Sequence, residues 1–181
     1  MKPLQLSAFF CLLVLSSCNS GPSLQKYFVE KTEDKNFIAL DVAPSILNID
    51  KSKLSAEEFE AIETFKTINI LAFQVNGGNK AMYQAEKTKV EEILKDNKYE
   101  ELMHVGSGQD GASVSFVGTE ESVDEFILYA NRKESGFAVV RIVGDDMTPN
   151  SVMAMMSVLR NSNINMEQLK PLQEMFSNNI Q

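Results

Sequence analysis

Few residues in this chain could do chemistry, and they are poorly clustered. His104 is the only imidazole. In an extended segment it and Ser107, three positions on, point to opposite faces, so this Ser/His pair is badly placed to act as nucleophile and base. His104 is expected to be a partly buried strand residue. A zinc site needs several His or Cys ligands, and one His with two cysteines, Cys11 and Cys18, does not supply them. Paired carboxylates stand at Asp145 and Asp146, after Gly144 and ahead of a helix start. Acids there serve turns and helix amino termini, and a calcium or glycosidase role is the lesser reading. No catalytic residue, metal ligand or cofactor is therefore assigned.

Two further groups need weighing. Met147, Met153, Met155, Met156, Met166 and Met175 crowd the carboxyl-terminal region, and thioethers select copper(I). Val152, Met155, Met156 and Leu159, however, stand at i, i+3, i+4 and i+7, the spacing of a helix face turned to a core, so packing accounts for most of them. The segment Asn76-Gly77-Gly78-Asn79-Lys80 joins a strand to a helix start. Its candidate ligand residues are Gly77, Gly78, Asn79 and Lys80, whose amides and ammonium would suit a small anion. It lacks the glycine and lysine spacing of a phosphate loop, and a strand-to-helix turn needs the same residues for geometry alone.

Cys18 is the most informative residue. Lys2 precedes a compact apolar run, Ala8 to Leu15, and Ser16-Ser17 are the small residues a signal peptidase requires. The run is well short of the roughly 18 residues that span a bilayer. Leu15-Ser16-Ser17-Cys18 resembles the lipobox of bacterial lipoproteins, which implies diacylglycerol on the Cys18 sulfur. One acyl chain, at about 0.8 kcal/mol per buried methylene, anchors only marginally, whereas two or three make a lasting attachment. Residues 1–17 thus read as a leader and 18–22 as a tether that holds the domain within roughly 20 Å of the membrane. Lipoproteins exported to the cell surface in the Bacteroidetes resemble one another in carrying a basic or glutamine residue and an acidic cluster after the cysteine. That pattern is absent, so a periplasm-facing location is expected.

Removal of residues 1–17 takes away Lys2 and no acid, leaving 16 basic against 25 acidic side chains, a net charge of −9. Such a surface repels phosphate backbones and anionic headgroups, which argues against nucleic acid and against membrane contact beyond the lipid. With Cys11 removed and Cys18 acylated, no disulfide forms and the fold must rest on its core. Residues 23–181 read as a single domain, and 44% hydrophobic with 23% charged residues is ordinary globular composition.

The elements follow from apolar spacing. Ser23 caps a short helix with Leu24, Tyr27 and Phe28 on one face, and Phe37 to Val42 reads as a strand. Ser55 to Glu58 forms a capping box ahead of Phe59, Ile62 and Phe65 at helical spacing. Ile68 to Val75, apolar on both faces, suits a central strand. A helix over about Lys80 to Asp96 turns Met82, Tyr83, Val90, Ile93 and Leu94 inward. Leu102 to Ser107, Ala112 to Val117, Glu125 to Asn131 and Phe137 to Val143 form a meander. Thr148-Pro149 opens another helix, and Pro171 fits one more, shorter helix near the end. The expected architecture is α+β: a mixed sheet of five or six strands, α/β in the first half and an antiparallel meander in the second, with helices mainly on one face.

Lys98-Tyr99-Glu100-Glu101-Leu102-Met103 after a charged helix, then Phe126-Ile127-Leu128-Tyr129 and Val139-Val140-Arg141-Ile142-Val143-Gly144 leading to a helix, carry a family resemblance. With the lipobox ahead of them, the chain resembles the uncharacterised Bacteroidetes lipoproteins grouped as domain of unknown function 4252. The resemblance covers most of the mature domain and implies an envelope address and a fold without an assigned reaction. The expected role is a lipid-anchored cell-envelope protein that binds or scaffolds an envelope protein partner, with envelope stress signalling as a candidate setting. A small-ligand module stands second and an enzyme with scattered carboxylates third.

Overall fold

The computed structural model describes residues 21–43, 50–107 and 109–161. Cys18, the leader, Met166, Met175 and the helix expected near Pro171 lie outside the described residues. Helix α1 (Leu24–Lys31) leads into β1 (Phe37–Val42), then α2 (Ala56–Thr64), β2 (Phe65–Gln74) and α3 (Lys80–Leu94). Four strands follow, β3 (Glu100–Ser107), β4 (Asp110–Gly118), β5 (Val123–Arg132) and β6 (Gly136–Met147), and then α4 (Pro149–Asn161). Together they form an α+β fold around one six-stranded sheet of order β1-β2-β6-β5-β4-β3.

Local chemistry sets the helix starts. The Ser23 hydroxyl accepts from Lys26 N at the start of α1. Ser55 and Glu58 form the reciprocal box on α2, satisfying two amides that the helix itself cannot. Thr148 and Ser151 exchange the same bonds, Ser151 N to Thr148 Oγ1 at 3.3 Å and Thr148 N to Ser151 Oγ at 3.1 Å, with Pro149 at the first helical position. Asp50 likewise caps a short 3₁₀ turn over Lys51–Lys53.

Two expected features of the sheet differ. It is not mixed: among the described residues all five strand pairs are antiparallel, including β1 with β2 and β2 with β6. A central strand apolar on both faces, as β2 is, occurs in either kind of sheet once both faces are covered, so the apolar run could not set direction. Nor do the helices favour one face. Leu24, Tyr27, Tyr83, Val90 and Ile93 of α1 and α3 pack on Leu71, Phe73, Ile127, Tyr129, Phe137 and Val139. Ile62 of α2 and Val158 of α4 pack on Val42, Phe116, Phe126 and Ile142, which point the other way. Strands apolar at both parities demand cover on both sides.

Smaller differences have the same origin. Phe65 opens β2 instead of closing α2, and Phe59 and Met82 are exposed. Asp145 and Asp146 lie within β6 and not at a helix cap, in the register shift where Val123 pairs with Met147 and Glu125 with Val143; Asp145 forms an ion pair with Lys66, and Asp146 has φ 53°. The β5–β6 turn needs Gly136: φ is +126°, and a Cβ would sit 1.8 Å from the Phe73 carbonyl oxygen. Beside it Phe73 stacks on Phe137 at 5.6 Å and meets Phe37 edge-on at 5.1 Å, the aromatic centre of the first face.

Candidate functional site

The second face of the sheet carries three rows of apolar side chains. The first, Phe116, Phe126, Ile142, Ile68 and Val42, lies nearest α2 and α4. The next runs through all six strands as Met103, Val114, Leu128, Val140, Ile70 and Leu40. The third is Val105, Ala112, Ala130, Ala138, Ala72 and Ile38. Cover thins along the second and third rows toward β3: Val114 and Leu128 are partly buried, Ala130 is exposed, and Met103 and Val105 are 46% and 55% exposed. The alanines leave a trough of about 480 Å³, lined by Val105, Ala112, Ala130 and Ala138 with Asp110 and Arg132 at the hairpin end. Asp110 Oδ1 accepts from Lys133 N at 2.9 Å, which ties the two hairpins together.

Strand β3 is the outer edge of this face, and every residue in it is exposed. His104 is therefore not the partly buried residue expected from its strand: it lies at the sheet rim with its side chain 53% exposed. Its Nδ1 stands 3.6 Å from Glu101 Oε2. Residues three apart on a regular strand face opposite ways, but the ladder shifts register between Glu101 and Met103, and the extra residue Leu102 restores them to one side. Ser107 gains no such correction relative to His104.

The glycine loop closes on itself. Asn79 is buried, its Oδ1 accepts from Asn76 N at 2.8 Å, and its Nδ2 donates to the Gln74 carbonyl at 2.9 Å. Asn76 Oδ1 takes the Gly78 amide at 2.9 Å. The Gly78 amide offered to an anion is thus already engaged, Gly77 and Lys80 are exposed, and the segment is built as a turn. Among the methionines, Met147 is fully buried in the core and Met153 is exposed. Among the described residues no three His, Cys, Asp or Glu side chains converge to hold a metal ion.

Sequence reasoning missed a buried polar cluster under the first face. Glu86, 8% exposed, accepts from Tyr27 Oη at 2.8 Å, Lys31 Nζ at 3.1 Å and Lys89 Nζ at 2.9 Å. Lys31, 9% exposed, also reaches Glu30 at 2.9 Å. Burial raises the Glu86 carboxyl, but the three donors outweigh it and hold the group below its ordinary range. Burial and the Glu86 carboxylate together push the Tyr27 hydroxyl well up. Both Glu86 oxygens are committed, so the cluster ties α1 to α3 and leaves no lone base for a substrate. A signal existed: Lys31 continues the Leu24 and Tyr27 stripe, and Glu86 lies between Tyr83 and Val90 on theirs. Farther along this face Arg141 grips Glu125 with two nitrogens and reaches Asn69 Oδ1 at 3.4 Å. Glu125 borders a second cavity of about 710 Å³, lined also by Lys26, Val29, Lys98 and Tyr99.

The architecture of the described residues defines an antiparallel α+β domain whose second face ends, apolar and exposed, at the β3 edge. The chain belongs to the family described as domain of unknown function DUF4252, whose model matches residues 27–155, from α1 into α4. No curated protein and no solved structure matches it. Among the described residues no helix is long and apolar enough to cross a membrane.

Proposed function

We propose that this chain is a lipid-anchored cell-envelope protein acting as a non-catalytic binding or scaffolding module for a protein partner. The observation that carries the reading is the apolar ledge of Met103, Val105 and the alanine trough, since apolar surface rimmed by polar residues is how a protein presents a docking site. The anchor rests on the lipobox at Leu15 to Cys18, which puts the ledge close to the periplasmic side of a bacterial membrane. Envelope stress signalling suits a tethered module of this kind. The cavity between α1 and the β4–β5 end, with Lys26 and Lys98 at its wall, supports a second reading, a small-ligand module.

Cross-linking in cells followed by pull-down through the carboxyl terminus separates the two. A reproducible protein partner is expected, and a co-purified metabolite without one would favour the ligand module instead.

A further inference from the structure

Resting on the binding reading above, we propose that the outer edge of β3 takes an extended, basic segment of the partner protein as a seventh strand. The edge itself is the first support. Among the described residues β3 pairs on one side only, with β4, and all of Glu100–Ser107 is exposed. Unpaired edge N–H and C=O groups template another strand unless Lys, Pro, a bulge or a covering element blocks them. This run contains neither Lys nor Pro. Its bulge lies at Leu102, and from Met103 to Ser107 the strand pairs with β4 residue by residue, so a regular stretch stays open. The opposite edge is guarded better: β1 is shorter, its Phe37 and Val42 are buried, and most of what lies between is partly covered.

The side chains specify the occupant. Two apolar rows end at Met103 and Val105, so alternate residues of an added strand would extend rows already running through the sheet. On the other face β3 presents His104 and, across the bulge, Glu101, while Glu100 lies opposite Phe116 at the end of the apolar face, all within a chain of net charge −8. The intervening residues of the partner are therefore basic. A second copy of β3 fits worse, because its Glu100–Ser107 run has no Lys or Arg to offer Glu100 and Glu101 and belongs to a chain of the same negative charge. The occupant is an extended segment alternating apolar and basic residues, bound through main-chain hydrogen bonds and read through alternate side chains.

The test uses the full lipidated chain and two synthetic peptides, one alternating valine with lysine and one alternating valine with glutamate. Hydrogen exchange across β3 should slow about tenfold or more with the lysine peptide and stay unchanged with the glutamate peptide. The double variant Glu100→Lys/Glu101→Lys should reverse that preference. No slowing, slowing confined to other elements, or equal slowing by both peptides would overturn the proposal. A photo-cross-linker at Val105 or at Val29 on α1 distinguishes this failure from failure of the binding reading. Partner capture from Val29 alone discards the β3 edge and keeps the scaffold, whereas capture from neither position, with a metabolite bound, discards both.

Discussion

Glu86 is the residue whose loss the fold should feel most sharply, because a buried carboxylate with three donors leaves two buried partners unmatched when removed. Breaking a charge-assisted buried set costs more than removing an exposed pair, so Glu86→Gln should lose about 2–3 kcal/mol at neutral pH in urea unfolding. The pH dependence has a definite sign. Glu86 lies below its ordinary 4.5 in the folded state, so its contribution is present above that pH and fades as pH falls through the folded value. The stability gap between wild type and Glu86→Gln should therefore narrow below pH 4.5; parallel profiles would show that the carboxylate charge is not what matters. At the alkaline end, burial and Glu86 raise the Tyr27 hydroxyl above its ordinary 10, so ionising it opposes folding and stability falls as pH rises past 10. Burial lowers Lys31, but Glu30 and Glu86 outweigh it and raise the group above 10.5, so its contribution is present below that pH and is lost as pH rises through the folded value.

At the scale of elements, caps and turns contribute unequally. Ser55→Ala removes one side-chain bond at the start of α2 and should cost about 1 kcal/mol. Gly136→Ala should cost more, at least about 2 kcal/mol, because it strains a positive φ and drives a methyl into the Phe73 carbonyl where β6 meets β2. Denaturant midpoints of the two variants check the order, and a Gly136→Ala protein as stable as wild type would mean the turn can relax. Strand β3 should behave in the opposite way. Met103→Lys replaces an exposed side chain on the sheet edge, so stability should stay within about 0.5 kcal/mol while any partner contact there weakens.

For the whole molecule, anchorage and charge set the expected behaviour. Cys18→Ala should abolish labelling by a fatty-acid analogue and move the protein out of the membrane fraction; labelling that survives the change would refute the lipobox reading. Excess zinc or a chelator should leave the melting temperature of the mature chain unchanged, since only a species held by the native state raises stability. Copper(I) is the harder test. Tight copper binding that vanishes when Met153, Met155 and Met156 are replaced would overturn the packing reading of this methionine-rich segment.

The sequence by itself determined what depends on neighbours along the chain. Ser23, the Ser55–Glu58 box and Thr148-Pro149 marked helix starts, because a cap is satisfied within three or four residues. Phe37–Val42 stood out as a strand, and the four-strand meander announced itself through alternation and turns. The lipid-anchor reading of Cys18, which the labelling experiment above tests, likewise rests on its immediate flank alone. Tertiary structure decided what depends on partners far away. That β1, β2 and β6 pair antiparallel, that helices cover both faces, and that Lys31 meets Glu86 across 55 positions are outcomes of packing that no local period encodes. The candidate site lies entirely on this second side. Met103, Val105 and the alanines look like ordinary strand residues until pairing aligns them into rows and strand order puts β3 at the edge of the sheet. His104 became a rim residue for the same reason: exposure belongs to a strand's place in the sheet, and place is fixed by which strands pair, not by the residues along any one of them.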